Sequence, residues 1–142
     1  AGRPEAITVN KEATEIWVGS NDEGVVSVLN AATGKVTAQW LGFNWPYRIL
    51  LSNDEQLAVV PDMNNNNLRF INAVNKKEVG KIELGEGSPQ GLVFHPNDQV
   101  LFISLAGKNI VLAIDRESRT ILEEFETESA PDGIGYSPLI LN

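Results

Sequence analysis

Trp45, Tyr47 and Arg48 fall almost side by side and set flat aromatic surface beside a planar guanidinium that donates in pairs. That combination recognises ligands; it does not make or break bonds. A second polar run, Asp62-Met63-Asn64-Asn65-Asn66-Asn67, adds a carboxylate and a row of amides able to wrap a polar ligand or a sugar. Trp45, Tyr47, Arg48, Asp62 and Asn64 are therefore the candidate ligand-binding residues. Structural roles compete with that reading. Large aromatics favour burial, which suits Trp45 to plugging a seam, and Asn tolerates the left-handed conformations of solvated turns.

Bond-making chemistry has little to draw on. The sequence contains no cysteine, which removes disulfides, thiol nucleophiles and Cys-ligated metals. His95 is the single histidine, no Ser or Asp stands in a readable triad relation to it, and it reads as a turn residue. Glu123 and Glu124 are consecutive on a predicted strand, so their side chains point to opposite faces and do not pair as acid and base. Asn21-Asp22-Glu23 offers oxygens to a hard cation but lacks the spaced ligand series of a calcium loop. No catalytic residue, metal ligand or cofactor is assigned.

The elements that position these residues repeat. Pro4, Pro46, Pro89 and Pro131 recur every 42 or 43 residues, and each opens a similar run, as in Pro46-Tyr47-Arg48-Ile49 and Pro131-Asp132-Gly133-Ile134. Turn signals follow the first three at Asn10-Lys11-Glu12, Ser52-Asn53-Asp54 and His95-Pro96-Asn97-Asp98. Within each repeat four short strands are predicted. The first is Ala6–Val9, Ile49–Leu51 or Leu92–Phe94; the second Glu15–Val18, Gln56–Val60 or Val100–Ser104. The third is Val25–Leu29, Leu68–Ile71 or Ile110–Ile114; the fourth Val36–Trp40, Glu78–Leu84 or Thr120–Phe125. A period in the low forties built of short apolar runs marks four-stranded sheets arrayed around an axis, a β-propeller.

The expected fold is all-β: three four-stranded antiparallel blades at about residues 4–45, 46–88 and 89–130, then the first strand of a fourth blade at Ile134–Ser137 within 131–142. Strands one to three are nearly continuous apolar runs, which suits sheets covered on both faces. The fourth alternates, as in Lys81-Ile82-Glu83-Leu84, and suits a half-open outer edge. Gly34 fits a positive φ in the turn between strands three and four. The matching turns at Val74-Asn75-Lys76-Lys77 and Glu117-Ser118-Arg119-Thr120 lack it, which predicts looser turns there.

The repeat resembles the YVTN-type β-propeller repeat of surface-layer and exported proteins. Its naming tetrapeptide corresponds to Trp17-Val18-Gly19-Ser20, Ala58-Val59-Val60-Pro61 and Phe102-Ile103-Ser104-Leu105, each without the final Asn. Its third strand corresponds to Val26-Ser27-Val28-Leu29-Asn30 and Val111-Leu112-Ala113-Ile114-Asp115, and its closing stretch to Ala31-Ala32-Thr33-Gly34-Lys35-Val36. The resemblance implies a non-catalytic scaffold or binding protein at the cell surface or in the periplasm. The alternative it brings is part of a quinone- or haem-linked periplasmic oxidoreductase, or of a lactonase, whose catalytic residues lie outside these blades.

Bulk properties narrow the partners. Over 142 residues the formal net charge is −8, which opposes nucleic-acid phosphates and anionic lipid surfaces. No apolar run approaches the ~20 residues of a membrane-spanning helix. Hydrophobic content of 42% supports a packed core. Three blades do not close a ring, so the expected partners are a second copy, giving a six-bladed dimer, or further blades of a longer chain. A protein or glycan ligand is expected on the face carrying the strand 2–3 loops and the blade connections.

Overall fold

The computed structural model describes residues 2–137, in which twelve strands form three sheets. The first holds β1 (Pro4–Val9), β2 (Glu15–Ser20), β3 (Val25–Asn30) and β4 (Val36–Trp40). The second holds β5 (Leu50–Leu51), β6 (Leu57–Asp62), β7 (Asn67–Asn72) and β8 (Lys77–Glu83). The third holds β9 (Pro89–Phe94), β10 (Val100–Leu105), β11 (Ile110–Asp115) and β12 (Ile121–Glu126). Each is an antiparallel meander in chain order, with all twelve expected strands in place.

Strand periodicity explains how the sheets stack. Successive side chains on a strand face opposite ways. On β6, Leu57 and Val59 pack with Leu101, Ile103 and Leu105 of the third sheet. Ala58 and Val60 pack with Trp17, Val26 and Val28 of the first. Every residue of β6 is buried, so the continuous apolar run reports a sheet sandwiched between two others. At the other extreme every residue of β12 is exposed.

The backbone repeats more faithfully than the residues do. Left-handed φ recurs at Ala13, Glu55 and Asp98; at Gly24, Asn66 and Asn109; and at Gly34, Lys76 and Arg119. The third set corrects the expectation of looser turns: Lys76 and Arg119 stand at φ 59° and 58°, beside 66° for Gly34. What fixes the turn is the residue ending strand three. Asn30 Oδ1 accepts from the backbone N–H of Ala32 and Thr33, Asn72 Oδ1 from Val74 and Asn75, and Asp115 Oδ1 from Glu117 and Ser118. An Asx turn thus supplies what a glycine would otherwise permit.

Neighbouring sheets are also stitched through their first turns. Glu55 Oε1 accepts from the Lys11 N–H at 2.6 Å, and the Asp98 carboxylate from the N–H groups of Asn53 and Asp54 at 2.8 and 2.9 Å. Arg116 ties Asp98 to Asp54 at 2.9 and 2.8 Å.

The fourth opening strand, expected at Ile134–Ser137, is not formed: residues 131–137 belong to no strand. An opening strand pairs with the second strand of its own blade, and among the described residues no strand stands beside residues 131–137 to pair with. The entry to that blade is nevertheless seated on the third sheet. Ser104 Oγ donates to the Asp132 carbonyl at 2.7 Å, and a Cβ on Gly91 would lie 2.0 Å from that oxygen. The rest of the expected segment, 138–142, lies outside the described residues.

Candidate binding site at the blade entries

Each opening strand breaks register just after its proline. Pro4 pairs with Ser20, yet Ile7 pairs with Val18; Pro89 pairs with Leu105, yet Leu92 pairs with Ile103. In the middle sheet Pro46 bridges Asp62 and Leu50 pairs with Val59. One extra residue is accommodated each time, which is a bulge, and a bulge re-aims the side chains it carries. Glu5, Tyr47 and Gln90 follow the three prolines directly, and Asp132 follows the fourth.

Tyr47 and Asp132 are tied to each other, and Glu5 and Gln90 to neighbouring loops. Glu5 Oε2 accepts from Asn21 Nδ2 at 2.6 Å and from the Trp45 indole N–H at 3.1 Å. The Arg3 guanidinium lies 5.1 Å from the Trp45 ring centroid. Tyr47 donates its hydroxyl proton to the Asp132 carboxylate at 3.2 Å, and Arg48 stacks 4.5 Å from the Tyr47 ring centroid. Partial burial raises the Tyr47 pKa above the usual phenol value; Asp132 and Glu5 push the same way against the opposing Arg48. The phenol is therefore protonated at neutral pH and acts as a donor. Gln90 reaches back to the Met63 sulfur at 3.8 Å. Glu5, Arg48 and Asp132 are exposed, whereas Trp45, Tyr47 and Gln90 are half-buried.

The expected residues thus separate. Trp45, Tyr47 and Arg48 lie at this entry cluster. Asp62 does not reach the surface: it is fully buried, and its carboxylate accepts from the N–H groups of Asn44 and Trp45 at 3.0 and 2.9 Å and from Asn65 Nδ2 at 2.7 Å. It clamps the connection that carries Trp45 and leaves no oxygen for a ligand. Asn64 is exposed on the β6–β7 loop, while Asn66 is used structurally, its Oδ1 accepting from the Ser88 N–H at 2.8 Å. The seam-plugging role weighed for Trp45 belongs to Phe43, which is buried in the core between the first two sheets. Glu5, Gln90 and Asp132 were not singled out as ligand residues by sequence reasoning. Their shared place, one after each repeating proline, was the signal.

The remaining candidates keep to local roles. His95 accepts from the Asn97 N–H at 3.2 Å within its turn and meets Tyr136 edge-on at 5.3 Å. Glu123 and Glu124 pair with Ala113 and Leu112 on opposite faces of β12. Asp22 lies 3.5 Å from Arg3, and among the described residues no cluster of acids and histidines forms a metal site.

No protein-family model matches this sequence, and no curated protein matches it. Solved structures do match. One titled hydrazine synthase of Kuenenia stuttgartiensis is 19% identical with a TM-score of 0.85, covering 95% of this chain and 39% of its own. A virginiamycin B lyase from Staphylococcus aureus is 18% identical with a TM-score of 0.76, covering 92% and 44%. The β-propeller domain of Myceliophteria thermophila Cps50 (Swd1) is 10% identical with a TM-score of 0.79, covering 92% and 43%. The chain therefore spans about two fifths of the length of these structures, and its fold is a partial β-propeller.

Proposed function

We propose that this chain is a non-catalytic propeller module, exported to the periplasm or cell surface, that binds a polar ligand or protein partner where its blades begin. The observation that carries the reading is the bulge after each blade proline. It re-aims Glu5, Tyr47 and Gln90 at the first three entries, where Trp45 is held to Glu5, and Arg48 and Asp132 to Tyr47. Exposed carboxylates beside aromatic rings favour a donor-rich or basic group, and the net charge of −8 favours it further. Export rests on the resemblance of the repeat to exported propellers. Further blades complete the ring, and for the isolated chain the source of those blades is a second copy.

Chemical-shift mapping tests the site, using a lysine-rich peptide and a neutral oligosaccharide as probes. Shifts at Glu5, Tyr47, Arg48 and Asp132, lost in Trp45→Ala, are the expected result. Shifts confined to Lys11, Asn53 and Asn97 would place binding at the wrong end of the blades. The neighbours include a lyase and a synthase, which supports a second reading as part of an enzyme whose reacting groups lie in other blades. Turnover of esters, lactones or redox dyes by the chain alone, abolished by Arg48→Ala, would favour that second reading.

A further inference from the structure

The opposite end of the blades carries a cleft of about 860 Å³ between the second and third sheets. Two arginines enter it and behave differently. Arg116 is neutralised by Asp54 and Asp98. Arg119 has no acceptor for its guanidinium among the described residues, and its Nε is buried without a hydrogen-bond partner. It lies over the Phe70 ring, 5.5 Å from the centroid, and across Gly80, where a Cβ would stand 2.7 Å from its Nη1.

The neighbouring seam shows what is missing. Lys76 holds the place of Arg119 one repeat earlier, at the same left-handed turn position. Lys76 reaches back over Trp17, 4.8 Å from that ring's centroid, and pairs with Glu15 at 2.6 Å. Glu15 begins β2; the residue that begins β6 is Leu57. The second seam therefore repeats the cation and sets it over an aromatic ring supplied by a different strand, but it does not repeat the carboxylate. A guanidinium with a buried, unsatisfied N–H in a cleft of ligand size is set to receive a planar carboxylate through paired hydrogen bonds.

The rest of the lining restricts the ligand. Asp115 and Glu117 line the same cleft and, among the described residues, form no ion pair, which repels polyanions such as phosphate and favours a positive group elsewhere on the ligand. Backbone and hydroxyl donation from Ser118 holds the Asp115 carboxyl below its usual pKa, so it stays charged at neutral pH. Gln56, Asn72 and Gln99 supply neutral donors and acceptors between these charges. We infer that this cleft binds a small zwitterion, an amino acid or short peptide, with its carboxylate on Arg119 and its ammonium toward Asp115 and Glu117.

Titration of the 142-residue protein with glycine, glycylglycine, N-acetylglycine, glycinamide and inorganic phosphate, followed by nitrogen-15 NMR, tests this. Shifts of the Arg119 Nε–H and of the Gln56, Asn72 and Gln99 amides are expected with the zwitterions, weaker ones with N-acetylglycine, and none with glycinamide. The relative strength of glycine and glycylglycine separates an amino acid from a peptide. Arg119→Gly keeps the left-handed turn, as Gly34 does two blades earlier, and should weaken binding about tenfold or more. Arg119→Lys keeps the charge without the fork and should fall between. No shift with any zwitterion, tighter binding of phosphate, or undiminished affinity in a folded Arg119→Gly variant would each overturn the inference and leave Arg119 as a hydrated surface cation.

Discussion

At the scale of single residues, Asp62 and Asn64 separate two meanings of a polar side chain in a loop. Asp62→Ala leaves the N–H groups of Asn44 and Trp45 without their acceptor in a partly buried setting. A loss of about 2 kcal/mol is expected, read as a fall in the urea midpoint. Asn64→Ala touches an exposed side chain and should change stability by less than about 0.5 kcal/mol. Asp54 gives the acid dependence its sign. Burial raises its pKa, but donation from Ser52, the Gln56 N–H and Arg116 outweighs this and brings it down to about 2. A depressed carboxyl stabilises the fold fully above its unfolded value near 3.8 and loses that contribution as pH falls through about 2. Urea midpoints measured from pH 5 to pH 2 should therefore drop, and Asp54→Asn should flatten the drop. An unchanged slope in that variant would assign the acid sensitivity to other carboxyls.

At the scale of elements, the Asx turns carry the prediction. Asn72→Ala removes the acceptor for the Val74 and Asn75 N–H groups and should cost about 1 kcal/mol despite lying at the surface. Lys76→Gly, in the same turn, tests the opposite property. Glycine relieves the left-handed strain at φ 59° but forfeits the Glu15 ion pair, so stability should change little in water and rise relative to the parent in high salt. Thermal melts at two ionic strengths decide this. The elements themselves were legible in the sequence because strand length, apolar alternation and repeating prolines act locally. The order of the strands followed from the period. Turn tightness was misjudged because the signal sat on Asn30, Asn72 and Asp115, not on the missing glycines. The entry bulges were not legible, since one extra residue in a strand changes neither composition nor period. Asp62 looked like a ligand residue because sequence does not reveal which loop carboxylates are covered by the next connection.

At the scale of the whole molecule, the two end sheets differ from the middle one. Ile7 on the outer face of β1 is 67% exposed and Val9 47%, while Phe125 on β12 is 40% exposed. Covering ~400 Å² of such surface at ~25 cal/mol per Å² yields about 10 kcal/mol per seam, and a two-copy ring closes two seams for one association cost. The turn stitches point the same way. Ala13 holds the place of Glu55 and Asp98 without a carboxylate, and Pro96 holds the place of Lys11 and Asn53 without an N–H. A third sheet set against the first sheet of another copy thus leaves neither a donor nor an acceptor stranded. Light scattering on the isolated chain should show self-association, weakened by Ile7→Lys or Phe125→Lys; a monomer that persists at all concentrations would rule ring completion out. The sandwiched middle sheet has a consequence in time as well as in space. Its central strand β6 is buried at every residue between two other sheets, so its amides open only when neighbours on both sides have come away. Amide deuterium uptake should begin at exposed β12, pass inward through the third sheet, and reach Ala58 through Val60 last. The rate at those three amides would then report the free energy of unfolding the entire chain, whatever happens at its edges.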